Sequence, residues 1–208
     1  MPQLDTIVTF FGLSLLLGLT PGPDNLFVVM QTATNGRKAG FLVVLGLCTG
    51  LVAHTAAVAL GLAAVFAASA SAFTALKFVG AAYLAYLAWQ AYRAPVGRQS
   101  QTGTMRVPLT QLYLRGIVMN ITNPKVVLFF LAFLPQFTDP KLGSIALQVS
   151  WFGFTFIIAT LVAFGSIVYM AAIFGTLMSS SARFQRVLNR IAAMVFLGLA
   201  LRLALTER

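Results

Sequence analysis

The sequence predicts an all-α membrane protein of six transmembrane helices, built as two inverted three-helix repeats, with helices 1 and 4 broken near the midplane. Three observations point there. Of 208 residues, 59% are hydrophobic and only 9% charged, against about 25% charged in a typical soluble domain. The apolar residues form long continuous stretches, unlike the roughly 10-residue alternation of a membrane β-barrel. Two of these stretches are interrupted in similar fashion, at Thr20-Pro21-Gly22-Pro23-Asp24-Asn25 and at Thr122-Asn123-Pro124-Lys125.

A span needs about 20 apolar residues to cross a hydrocarbon core about 30 Å thick. Six segments qualify: 6–30, 39–67, 73–92, 112–137, 143–178 and 187–205. The second and fifth exceed that length, so they tilt or extend beyond the bilayer. The first segment reads as a retained helix. It lacks a basic n-region, carries Asp5, and ends in Pro-Gly-Pro rather than in a small-residue cleavage pattern.

Basic residues alternate between loops. Arg37, Lys38, Arg93, Arg98, Arg106, Arg115, Arg183, Arg186 and Arg190 fall on one side; Lys77, Lys141, Arg202 and Arg208 fall on the other. The richer side is expected to be cytoplasmic, which with six spans places both termini outside. The net charge of +10 follows from this asymmetry. There is no basic tail or soluble module, so nucleic-acid binding is not expected.

The chain reads as a single membrane domain over 1–208. Residues 1–95 form the first repeat, 96–111 a flexible cytoplasmic linker with Gly97 and Gly103, and 112–208 the second repeat. Pro23-Asp24 and Pro124-Lys125 correspond at an offset of 101, while Gly40, Gly50 and Gly61 correspond to Gly143, Gly153 and Gly165 at offsets of 103, 103 and 104. Ala81-Ala82 pairs less closely with Ala192-Ala193. With three helices per half, the second copy must lie inverted relative to the first, as in many secondary transporters.

Pro23 lies 14 residues from Arg37, and Pro124 lies 9 from Arg115. At 1.5 Å per residue these are depths of about 21 Å and about 14 Å, so both breaks fall in the middle zone of the membrane. Asn123-Pro124 reads as an N-cap followed by the first helical residue, and Gly22-Pro23 reads similarly. Two half-helices then present their N-termini to the membrane interior, where partial positive charge favours an anion. Lys125 adds a full positive charge, and Asp24 can take an ammonium group or a proton. Asp24, Asn25, Lys125, Asn120, Asn123, Pro21, Gly22, Pro23, Pro124 and His54 are the candidate site residues. The set suits a zwitterion, of which a small amino acid is the simplest case, with its carboxylate at the half-helix N-termini and Lys125. The competing reading makes Asp24 and Lys125 a fixed structural ion pair in a non-transporting subunit or a lipid-acting protein. An intramembrane charge costs about 2.5–3.5 kcal/mol, so pairing alone would also be sensible, although a pair needs no broken helix.

His54 shares a helical face with Gly50, Ala57 and Gly61. It reads either as a proton relay or as a buried histidine bonded to a neighbour. Gly46-x-x-x-Gly50 reads as internal packing or as a dimer face. Tyr83, Tyr86, Trp89 and Tyr92 suit interfacial anchors. Phe129, Phe130 and Phe133 read as core or lipid-facing residues, and the lone Cys48 as a packing residue. One His, one Cys and four acids, with no G-x-S-x-G, H-E-x-x-H or P-loop, argue against an enzyme, a metal site or any cofactor. Exposed apolar helices permit a homodimer.

The residues at the two breaks resemble a known family. Gly18-Leu19-Thr20-Pro21-Gly22-Pro23-Asp24 looks like the signature of the LysE/RhtB family of bacterial amino-acid exporters. Asn123-Pro124-Lys125, followed by Phe129-Phe130 and Pro135-Gln136-Phe137, resembles that family's fourth-helix motif. The resemblance covers essentially the whole chain. It implies efflux of amino acids or close derivatives by proton antiport across the bacterial inner membrane. It also implies a translocation core of Pro21, Gly22, Pro23 and Asp24 with Asn120, Asn123, Pro124 and Lys125. Protons and membrane lipid are then the further partners. The substrate and the coupling ion, H⁺ or Na⁺, are left open.

Overall fold

A computed structural model describes residues 2–20, 22–68, 108–180 and 182–205, with scattered positions at 78, 81, 82, 85, 86, 88, 89, 92 and 93. Pro21, most of the predicted third span and the linker through residue 107 lie outside the described residues. The rest is helical, with no strand among the described residues. In chain order the helices are α1 (Leu4–Leu19), α2 (Pro23–Asn35), α3 (Arg37–Ala68), α4 (Leu109–Thr122), α5 (Pro124–Leu128), α6 (Ile145–Ser180) and α7 (Ala182–Leu205). A π turn (Phe129–Phe133) and two 3₁₀ turns (Leu134–Phe137 and Pro140–Leu142) join α5 to α6.

The breaks follow from proline. A residue before proline is pushed out of the α region, and Thr20 (φ −65°, ψ 130°) and Asn123 (φ −73°, ψ 109°) are both extended. Gly22, before Pro23, is extended too, at φ −165°. Each new helix starts at its proline, where the missing N–H is harmless. The bend is 63° between α1 and α2 and 56° between α4 and the helical run that follows. Helix α2 stops at Gly36, whose φ of 82° favours glycine.

By length and composition, α3 over Arg37–Gly61 and α6 over Ile145–Ala171 can each cross a membrane, and counting each bent pair as one span gives four among the described residues. The sixth predicted segment is helical as α7, beginning at Ala182, ahead of residue 187.

Helices α3 and α4 run parallel, since Gly46 meets Gly116 and Gly50 meets Asn120. Helices α1 and α6 are also parallel: Phe10 packs on Phe152 and Gly18 on Ala163. Helices α3 and α6 are antiparallel, with Phe41 against Gly165 and Thr55 against Gly153. The core has two parts. One is aromatic, built on Phe10, Phe129, Phe130, Phe133, Phe152 and Phe156. The other is largely aliphatic, around Val43, Leu47, Leu112, Ala163 and Val168. Cys48 is buried in the second.

The Gly46-x-x-x-Gly50 pair serves internal packing. A Cβ on Gly46 would lie 2.9 Å from the Gly116 Cα, and closer still to the Tyr113 carbonyl oxygen. The small-residue face does not continue. Ala57 and Gly61 are exposed, and among the described residues nothing lies within 4 Å of a Cβ built on Gly61. Helix α4 ends at Thr122 and the chain bends away, which removes its partner. Gly40 and Gly143 play different parts. The first packs under Thr32 and Val168, and the second is a turn residue at φ 106°. Tyr86, Trp89 and Tyr92 are exposed, as anchors would be, with Arg93 stacked 4.2 Å from the Trp89 ring; Tyr83 lies outside the described residues.

Candidate functional site

The two breaks meet. Asp24 lies in the first turn of α2 and is 3% exposed. Its Oδ2 accepts a hydrogen bond of 2.6 Å from Asn123 Nδ2, across 99 residues of sequence. Asn123 also caps α5, its Oδ1 accepting from the Lys125 backbone N–H at 3.0 Å. A side-chain amide holds both an acceptor and donors, so one residue caps one half-helix and ties it to the other. Replacing Asn123 with Ala removes a cap worth about 1 kcal/mol and a charged hydrogen bond worth about 1.5–3 kcal/mol. We expect a loss of about 3 kcal/mol, read as a fall of roughly 6–12 °C in the thermal transition of the detergent-solubilised protein.

Lys125 does not form the direct ion pair with Asp24 that the sequence allowed. Its Nζ donates to the Leu17 carbonyl at 3.0 Å, the Thr20 carbonyl at 3.2 Å and Thr20 Oγ1 at 3.2 Å. The last carbonyls of a helix have no partner within it, and a cation suits that negative end. Lys125 therefore closes the C-terminus of α1. Its three N–H donors are all engaged there and do not point freely toward an incoming carboxylate. Asn25 supports the same end, donating from Nδ2 to the Gly18 carbonyl at 2.7 Å.

Asn120 is 3% exposed and packs over Gly50. Its backbone oxygen accepts from His54 Nε2 at 3.2 Å, which requires the proton on Nε2. The His54 ring lies 5.6 Å from that of Phe130. His54 thus reaches the site through the Asn120 backbone and does not contact Asp24. Gly22 caps α2 beside Lys125, where a Cβ would sit 3.5 Å from Nζ. Pro23 and Pro124 start their helices. Pro21 lies outside the described residues.

Asp24, Asn120, Lys125 and Thr160 share a small cavity of ≈ 20 Å³ with Leu17, Leu47, Val126, Phe156 and Phe164. That is room for about one water, so the cavity is closed to anything larger in this conformation. Among the described residues, three buried oxygens around the break have no hydrogen-bond donor: Asp24 Oδ1, Asn25 Oδ1 and Asn120 Oδ1.

Comparison with known proteins gives the family of the chain. A family model described as LysE type translocator matches residues 5–207. The chain belongs to the LysE type translocator family. The motif resemblance at the breaks therefore extends along the whole chain. Among relatives of this translocator, an uncharacterised membrane protein of Bacillus subtilis is 30% identical over 98% of this chain and 100% of its own length. A homoserine/homoserine lactone efflux protein of Salmonella typhimurium is 35% identical over 72% of each chain. A leucine efflux protein of Salmonella choleraesuis is 28% identical over 94% of this chain and 93% of its own. No solved structure matches.

Sequence reading of this translocator missed Thr20 and Thr160 and the α1 carbonyls as parts of the constellation. Thr20 carried a usable signal, because the C-terminal end of any broken helix needs donors. Thr160 sits in a long apolar helix and carried none.

Proposed function

We propose that this LysE type translocator is a secondary transporter that exports an amino acid or a close derivative from the cytoplasm. The observation that carries this reading is the 97%-buried Asp24, with one carboxylate oxygen still unpaired, at the junction of two proline-broken helices. The efflux of leucine and of homoserine by relatives supports it. The six spans form two inverted repeats, 1–95 and 112–208, joined by the linker 96–111, in a single membrane domain. Supporting this, the parallel pair α1/α6 exchanges with the parallel pair α4/α3 when the halves are swapped. Each broken helix packs on the long helix of the other half. The carrier sits in the bacterial inner membrane with both termini outside, in line with the basic loops.

Transport proceeds by alternating access, the repeats rocking about the midplane junction. Asp24 binds either the substrate ammonium or a proton, and this competition for one carboxylate couples export to proton entry. Asn120, Asn123 and Asn25 hold the junction, and His54 orients Asn120. As the break opens, Lys125 exchanges an α1 oxygen for the substrate carboxylate, which links substrate binding to release of the α1 end. The test uses purified protein in proteoliposomes with labelled leucine or homoserine and an imposed pH gradient. Asp24→Asn is expected to lose gradient-driven transport. Wild-type coupling in that variant would remove Asp24 from the mechanism.

A further inference from the structure

We infer that the transported molecule carries a free ammonium group on a neutral, aliphatic body, and that amino acids with charged side chains are excluded. This rests on the exporter reading and narrows it. Among the described residues, the buried side-chain polar atoms lacking a partner are Asp24 Oδ1, Asn25 Oδ1 and Asn120 Oδ1, and all are acceptors. The amide and ammonium donors nearby are committed. Lys125 Nζ serves α1, the Asn25 amide serves Gly18, and the Asn123 amide serves Asp24. Buried acceptors without donors are costly. A substituted ammonium brings three N–H groups and a positive charge to Asp24 and Asn120, which line the cavity together.

Among the described residues, the rest of the wall holds no second counter-charge for a cationic side chain. Leu17, Leu47, Val126, Phe156 and Phe164 are apolar, and Thr160 adds one hydroxyl. The chain has only four acidic residues. Asp5 is exposed at the start of α1, Asp139 accepts from the Lys141 backbone N–H in the turn before α6, and Glu207 ends the chain outside the described residues. A lysine or arginine side chain would enter an apolar wall with its charge unpaired. A glutamate side chain would bring a second carboxylate beside Asp24, and among the described residues Lys125, turned from α1 to the substrate's own carboxylate, is the one cation lining the cavity. Exclusion here comes from the absent partner rather than from a clash.

Counterflow in proteoliposomes of the full chain tests this. Vesicles are loaded with leucine, valine, methionine, homoserine, lysine, arginine or glutamate, and entry of the same labelled compound is measured. N-acetyl-leucine is added outside as a competitor lacking the ammonium. The expected result is exchange of at least one neutral amino acid, with lysine, arginine and glutamate lower by roughly tenfold or more, and no inhibition by excess N-acetyl-leucine. Lysine, arginine or glutamate exchange equal to the best neutral compound overturns the inference while leaving export intact. Inhibition by N-acetyl-leucine as strong as that by the free amine overturns the ammonium assignment. Absence of exchange for every compound overturns the exporter reading itself.

Discussion

Lys125→Met is expected to abolish export and to destabilise the protein by about 3 kcal/mol, the low end for removing one member of a buried charged constellation. That corresponds to a fall of roughly 6–12 °C in the thermal transition in detergent. Methionine keeps most of the side-chain volume but supplies no donor. The Leu17 and Thr20 carbonyls and Thr20 Oγ1 all lose their Lys125 bond. Asp24 is left buried without its neighbouring cation. Arginine is not expected to rescue, because a planar fork cannot replace a compact ammonium aimed at three oxygens around one helix end. The double variant Asp24→Asn/Lys125→Met separates structure from transport. It should recover only the part of the thermal stability lost to a buried carboxylate standing alone, because the α1 oxygens still lack their Lys125 bonds, and should still export nothing. Wild-type export by Lys125→Met, measured as labelled amino-acid efflux, would mean that this lysine only packs the junction.

Gly46→Ala is expected to cost about 3 kcal/mol, at the upper end for adding a methyl group to a packed interior. The three atoms nearest the new Cβ would all be backbone of α4: the Tyr113 carbonyl oxygen, Gly116 Cα at 2.9 Å and the Ile117 nitrogen at 3.0 Å. Backbone of a helix cannot rotate away as a side chain can, so α3 and α4 must separate. Separation also pulls on Asn120, which packs over Gly50 one turn further along, and on its contact with His54. Lower expression, a depressed thermal transition and reduced export should therefore appear together. Gly12→Ala is the control. Nothing among the described residues lies within 4 Å of a Cβ there, so it should change stability little. Equal behaviour of the two variants would show that the α3–α4 approach is looser than its geometry.

Local chemistry was legible in the sequence. Proline before a first helical turn, and asparagine or glycine before that proline, predict where α2 and α5 begin without knowledge of any neighbour. Long apolar runs predict α3 and α6 for the same reason. What depends on distant partners was not legible. That Asn123 reaches Asp24 across 99 residues, and that Lys125 serves the carbonyls of α1 rather than Asp24, follow from how the helices dock. The Gly46-x-x-x-Gly50 pattern announced a close approach but not that Gly116 and Asn120 are what approach. His54 was placed on a face that stops being packed once α4 ends. The periodicity of α3 continues past that point and gives no warning.

The aromatic cluster around Phe10, Phe129, Phe133 and Phe152 has an electrical consequence. In the orientation proposed above, it stands between the Asp24 junction and the outer face. Phenyl rings offer no hydrogen-bonded wire for protons and no path for ions, so among the described residues this layer acts as an insulator. Voltage drops across insulation rather than across wet regions, and about 2.3 kcal/mol is available per elementary charge for each 100 mV crossed. Under the proton coupling proposed above, a proton arriving at Asp24 from outside would collect part of the membrane voltage as well as the pH difference, and a cell with a collapsed pH gradient but an intact potential would retain a driving force for export.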